Sequence, residues 1–150
     1  MSRRYLLEQV DDAAVVQYYA DGFDALPVDQ KILAWHLYQA ALAGRDIYYD
    51  QRYRHALEMR AVLEAIVTHV SGVDERLAPA LADVIRYTKL FWINSGPHNN
   101  MTARKIVLGC PRDAFHALVR LAHQRGAALP LRDGEPLAEL LDRLDGPFFD

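Results

Sequence analysis

The sequence has one cysteine, Cys110, so it cannot form an intramolecular disulfide. A reducing compartment, and with it the cytoplasm, is the simpler expectation. It also lacks any apolar run long enough to cross a bilayer, so no membrane partner is expected. Arg3 and Arg4 near the start are not followed by the long apolar stretch of a secretory leader. There is no His-Glu-x-x-His, and no two of His36, His55, His69, His98, His116 and His123 stand four residues apart. A metal site built on one helix is therefore unsupported. Gly96-Pro97 is not a phosphate cradle, which needs more glycines and a following Lys-Ser/Thr. A net charge of -3 argues against a nucleic-acid footprint. Arg104, Lys105, Arg112 and Arg120 make a local basic region, but Asp133, Glu135, Glu139 and Asp142 follow and offset it.

The chain does have material for a core. Of its 150 residues 51% are hydrophobic and 25% charged, which suits one soluble globular domain spanning 1-150. Its pattern is all-α, with five to six helices, one irregular loop and at most one short strand. Asp11 or Asp12 caps a first helix to about Ala20, with Val15, Val16 and Tyr19 as its stripe. Pro27 and Gly44 bracket a second, whose apolar set includes Ile32, Leu33, Trp35 and Leu37. Arg45 to Tyr53 is aromatic and charged and is left open between a short helix and a turn. A third helix covers roughly His55 to Val70. A fourth starts from Asp74, with Pro79 in its first turns, and runs to Trp92. Ile106-Val107-Leu108 is the one plausible strand. Pro111 opens a fifth helix that Gly126 closes. Glu135 to Leu144 is a last helix, stopped by Gly146-Pro147. Phe148 and Phe149 then read as exposed, which implies that further chain or a partner covers them. Cys110 has no base placed to activate it and reads as a structural thiol.

The most informative stretch is Phe91 to Lys105. An apolar helical pattern gives way to Asn94-Ser95-Gly96-Pro97-His98-Asn99-Asn100. Such a segment is either a helix cap and turn or the lining of a cleft. Asn94, Asn99 and Asn100 each carry a donor and an acceptor, which suits peptide backbone or a polar small molecule.

Two blocks resemble a known family. Phe23-x-x-Leu26, Lys31 and His36-Leu37-x-x-Ala40-Ala41-x-x-Gly44 resemble the opening region of the dipeptidyl-peptidase III family of zinc metallopeptidases. The second block is Ile93 to Ile106, which in eukaryotic members reads Ser-Asn-Met-Gly-Asn-Tyr-Lys-Ser-Phe-Gly-Asp-Thr-Lys-Phe. Asn94, Gly96 and Lys105 match outright, whereas Asn100 stands in place of the serine and Met101 in place of the phenylalanine. The resemblance implies a two-lobed exopeptidase that removes dipeptides from the N-terminus of short peptides. Zinc would sit in the other lobe, on a His-Glu-x-x-Gly-His helix that this sequence does not contain. The chain would then be the N-terminal portion of the substrate-anchoring lobe, with the remainder of the parent enzyme as its partner. It would hold no zinc and be inactive alone. Asn94, Gly96, His98, Asn99, Asn100 and Met101 are its implied substrate-binding residues. The alternative is a freestanding helical module that binds a peptide or a protein without catalysis.

Overall fold

The dipeptide Asp11-Asp12 reverses the chain. The computed structural model describes residues 3–150, and Met1 and Ser2 lie outside the described residues. Leu6–Val10 (β1) and Ala13–Val16 (β2) pair antiparallel, with Val10 opposite Ala13 and Leu6 opposite Val16. The register shifts between Leu6 and Glu8. This hairpin replaces the helix expected from Asp11 or Asp12 to Ala20. Asp11 sits at φ 52, a left-handed conformation that aspartate tolerates. The reversal occurs before a helical turn can form, and β-branched Val15 and Val16 suit extended backbone. Two short strands thus stand where at most one was expected.

A 3-10 turn, Phe23–Ala25, leads into α1, Val28–Arg52. The helix passes straight through Gly44, which was expected to end it, and takes up the unassigned Arg45 to Tyr53 segment almost entirely. A Cβ on Gly44 would meet nothing within 4 Å. A mid-helix glycine costs only about 1 kcal/mol relative to alanine, too little by itself to end a helix. The remaining helices are α2 (Ala56–His69), α3 (Ala78–Asn94), α4 (Arg112–Gln124) and α5 (Leu137–Phe149). The protein is mainly helical, with five helices and one two-stranded sheet among the described residues. Asp74 caps the turn ahead of α3: its Oδ1 accepts from the amides of Arg76 at 3.1 Å and Leu77 at 3.0 Å. Pro79 lies in the first turn of α3, where its missing N–H has no intrahelical partner to lose.

The chain divides into two compact units, Met1–Tyr48 and Tyr49–Asp150. The first holds the hairpin and most of α1, and Val10 is its only buried residue among those described. Ile32, Leu33, Trp35 and Leu37, from the apolar set of the second expected helix, are more than half exposed. The second unit contains the core. Met59, Leu63 and Ile66 of α2 meet Val84, Tyr87 and Phe91 of α3. Phe115, Leu118, Val119 and Ala122 of α4 recur at i, i+3, i+4 and i+7 and are all buried. Helix α2 packs on α3, α4 and α5.

The end of the chain differs most from its reading. Helix α5 runs through Gly146-Pro147 to Phe149. Phe148 is fully buried, with its ring 4.7 Å from that of Phe115, and Phe149 is half-buried 5.8 Å from the same ring. The unit's own core covers them. The carbonyls of this last turn are satisfied from outside the helix. Leu108 N–H donates to Phe148 O at 2.9 Å, and Lys105 Nζ donates to Gly146 O at 3.0 Å and to the Asp150 carbonyl. A proline one turn from a helix end removes a single bond there. Ile106-Val107-Leu108 joins no strand among the described residues; Ile106 N–H donates to Pro97 O and Leu108 N–H to Phe148 O instead. An isolated bridge between His98 and Lys105 is the only pairing described nearby.

Candidate functional site

The amide-rich segment starts as a helix cap. Ser95 closes α3 in the left-handed region, at φ 51 and ψ 43. Gly96 N–H reaches back to Phe91 O at 3.0 Å, the longer bond of a Schellman end. The loop then folds on itself. Ile106 N–H donates to Pro97 O at 2.7 Å, Asn99 N–H to Arg104 O at 2.9 Å, and Ala103 N–H to Asn99 O at 2.9 Å. These bonds hold residues 97–106 as one closed projection from the end of α3.

The asparagines mostly brace this loop. Asn94 is buried; its Nδ2 donates to Leu90 O at 2.9 Å, and its Oδ1 accepts from Asn100 N–H at 2.9 Å. Asn99 Oδ1 accepts from the amides of Met101 at 2.9 Å and Thr102 at 3.0 Å, an Asx turn. Asn100 Nδ2 donates to Ile93 O at 3.4 Å. Gly96 is buried under the cap. Of the six residues named from sequence, Asn94 and Gly96 are thus internal. His98 and Asn99 are half-buried, Asn100 is exposed, and Met101 stands 92% exposed at the tip. The structure brings His98, Asn99 and Met101 to the loop surface and turns Asn94 away from it.

His98 has neighbours the sequence reading did not name. Its ring lies 5.3 Å from that of Tyr53, edge to face, and Arg52 Nη2 donates to its carbonyl at 3.5 Å. Burial, then Lys105 and Arg52, lower the His98 pKa. The imidazole is neutral at neutral pH and presents one donor and one acceptor. Lys105 Nζ sits 5.9 Å from the Tyr53 ring, and burial lowers its pKa too. The crowding of Tyr48, Tyr49 and Tyr53 with Arg52 in an unassigned stretch was the available signal for this cluster.

A second polar feature of the same unit is a cleft of about 570 Å³ lined by Arg54, His55, Glu58, Arg132, Arg143 and Pro147. Arg143 forks onto Glu135, Nε to Oε1 and Nη2 to Oε2, both at 2.9 Å. Its Nη1 also reaches Glu58 Oε1. The Arg143 hydrogen bonds, helped by the Arg132 amide, hold the Glu135 carboxyl down at about 2. Glu58 further takes Arg132 Nη2 at 3.7 Å and His55 Nδ1 at 3.3 Å. These charges compensate one another and tie α2 to α5.

Nucleophilic and metal chemistry find little here. Cys110 is buried, and burial followed by the Asp83 carboxylate pushes its thiol up to about 11. A thiol so protected is a poor nucleophile. His116 Nε2 bonds Asp145 Oδ1 at 2.7 Å and so joins α4 to α5. Among the described residues, no group of three or more His, Cys, Asp or Glu side chains is placed to hold a metal ion. These residues do not fit a zinc centre, and no zinc step is assigned to them. No helix among the described residues is long and apolar enough to cross a membrane. Compared with known protein families and with curated proteins, the chain matches none.

Proposed function

We propose that this chain is the peptide-anchoring part of a larger dipeptidyl-peptidase III-like zinc enzyme, the N-terminal portion of its substrate lobe. Two things support this reading: the Phe23–Gly44 and Ile93–Ile106 resemblance, and the surface of the 97–106 loop. The loop surface is the observation that carries it. A neutral imidazole, a carboxamide and a thioether, from His98, Asn99 and Met101, project from one braced loop beside Tyr53. None of the three is a charged group at neutral pH. That set matches the amide and apolar side chain of a short peptide. The zinc chemistry, and the two-lobed architecture, would belong to the remainder of the parent enzyme.

A second reading is a freestanding helical interaction module. It is favoured by Asn94, Asn99 and Asn100, whose side chains largely serve the loop itself. One experiment separates the readings. The purified chain is titrated with arginyl-arginyl-alanyl-alanine while backbone amide resonances are followed. The same sample is assayed for arginyl-arginyl release and for bound zinc. The proposal expects shifts confined to residues 97–105, weakened by His98→Ala, with neither turnover nor zinc. Zinc-dependent turnover by the chain itself contradicts it, and unmoved 97–105 resonances leave the interaction module.

A further inference from the structure

Arg54, Arg132 and Arg143 line one cleft from three separate segments: the turn before α2, the loop between α4 and α5, and α5 itself. All of its lining belongs to the Tyr49–Asp150 unit. A guanidinium has five N–H donors. Arg143 spends two on Glu135 and one on Glu58, and its side chain is 17% exposed against 64% for Arg132. Arg132 is pinned by its backbone instead. Its N–H donates to Glu135 Oε2 and its carbonyl accepts Glu135 N–H, both at 2.9 Å. Its guanidinium only approaches Glu58 at 3.7 Å, too far for a hydrogen bond. Arg54 donates Nε–H to His55 Nε2 at 2.7 Å and pairs with no carboxylate among the described residues. That bond needs a lone pair on Nε2, so the imidazole proton lies on Nδ1, 3.3 Å from Glu58 Oε2.

The charges of Arg132 and Arg143 cancel those of Glu58 and Glu135, and Arg54 adds a positive charge that nothing offsets. A surplus of this kind attracts an anion, and the layout of the donors selects its shape. One guanidinium fork saturates a carboxylate, as Arg143 saturates Glu135. Two further guanidinium groups on separate segments, with most of their donors uncommitted, suit oxygens arranged in three dimensions. A phosphoryl group has that geometry. Glu58 does not oppose it, because Glu58 keeps Arg143 and His55 when Arg132 turns to a ligand. The cleft measures about 570 Å³, the size of a small-molecule site, and so holds the organic part of an ester as well. The net charge of -3 on the whole chain disfavours a polyanion such as a nucleic acid.

We infer that this cleft binds the phosphoryl group of a small phosphomonoester, held by Arg54 and Arg132 over the fixed Arg143–Glu135 fork. The inference does not depend on the peptidase reading. Inorganic phosphate and glycerol phosphate are titrated into the full chain at constant ionic strength, with acetate and dimethyl phosphate for comparison, while backbone amide resonances are followed. Phosphate should give saturable shifts at residues 54–55 and 132–135, and glycerol phosphate should bind at least as tightly. Acetate and dimethyl phosphate should bind about tenfold more weakly or worse, each lacking part of the charge or of the oxygen set. Arg54→Gln and Arg132→Gln should each weaken phosphate by about tenfold, the loss of one charge-assisted contact. Both should keep the wild-type melting temperature, since both side chains are exposed. Absence of saturable shifts at those residues in the wild type overturns the inference, as does a folded glutamine variant that binds phosphate unchanged. Acetate binding as tightly as phosphate makes this a carboxylate site, and tighter binding of dimethyl phosphate makes it a diester site. Either result overturns the phosphomonoester assignment.

Discussion

Asn94 shows how one side chain serves two segments. Its amide closes the last turn of α3 and its carbonyl holds Asn100 N–H, both in a buried place. Asn94→Ala removes both bonds and strands a partly buried amide. The expected loss is about 1–3 kcal/mol, read as a lower midpoint in urea denaturation. Ser95 shows the opposite case. It occupies a left-handed position that disfavours any Cβ. Ser95→Gly should therefore gain about 1 kcal/mol in the same experiment. Cys110 should not react with a thiol-specific disulfide reagent until the protein is denatured, because burial and Asp83 favour the protonated thiol. Rapid labelling of the native protein would remove the structural reading. The asparagines were legible as turn formers from sequence. Which of their atoms face inward was not, because that depends on where α3 stops.

At the scale of elements, helices α2 to α4 were legible because their apolar spacing is regular and their ends carry Pro79, Pro111 and Gly126. Gly126 sits at φ 88 just past α4, where glycine costs least. Helix α5 was legible in its body but not at its end, where Lys105 and Leu108, distant in sequence, donate to the Gly146 and Phe148 carbonyls of the last turn. The aromatic contact of α4 with α5 is central to the packing. Phe115→Ala should cost about 3–5 kcal/mol, measured by thermal or urea unfolding, because it empties the place of a buried ring packed 4.7 Å from that of Phe148. The Glu135–Arg143 fork gives an acid signature. The folded Glu135 pKa, about 2, lies below its ordinary 4.5. Its contribution is present above pH 4.5 and lost as pH falls through 4 toward 2. Melting temperature should drop across that window, and Glu135→Gln should flatten the drop while lowering stability at neutral pH.

At the scale of the whole molecule, the two units bury very different amounts of surface. Val10 is the one buried residue described before Tyr49, whereas the later unit has a continuous aromatic and aliphatic core. Local opening free energy follows burial. Amides of β1 and β2 should exchange with deuterium much faster than those of α2 and α4, and limited proteolysis should cut first before Tyr49. Equal protection in both units would contradict this ranking. The sequence reading drew no boundary inside the chain. Helix α1 runs across Tyr48 and Tyr49 without a break, so no loop signals the change.

By itself the sequence determined the helical class, the order of the later helices and the turn chemistry after α3. Each of these follows from short-range spacing and from backbone preferences of Pro, Gly and Asn. Only the tertiary structure decided that Asp11 turns a hairpin, that Phe148 is interior and that the apolar half of α1 is not. Burial depends on what else packs against a residue, and apolar periodicity is the same for a covered stripe and a bare one.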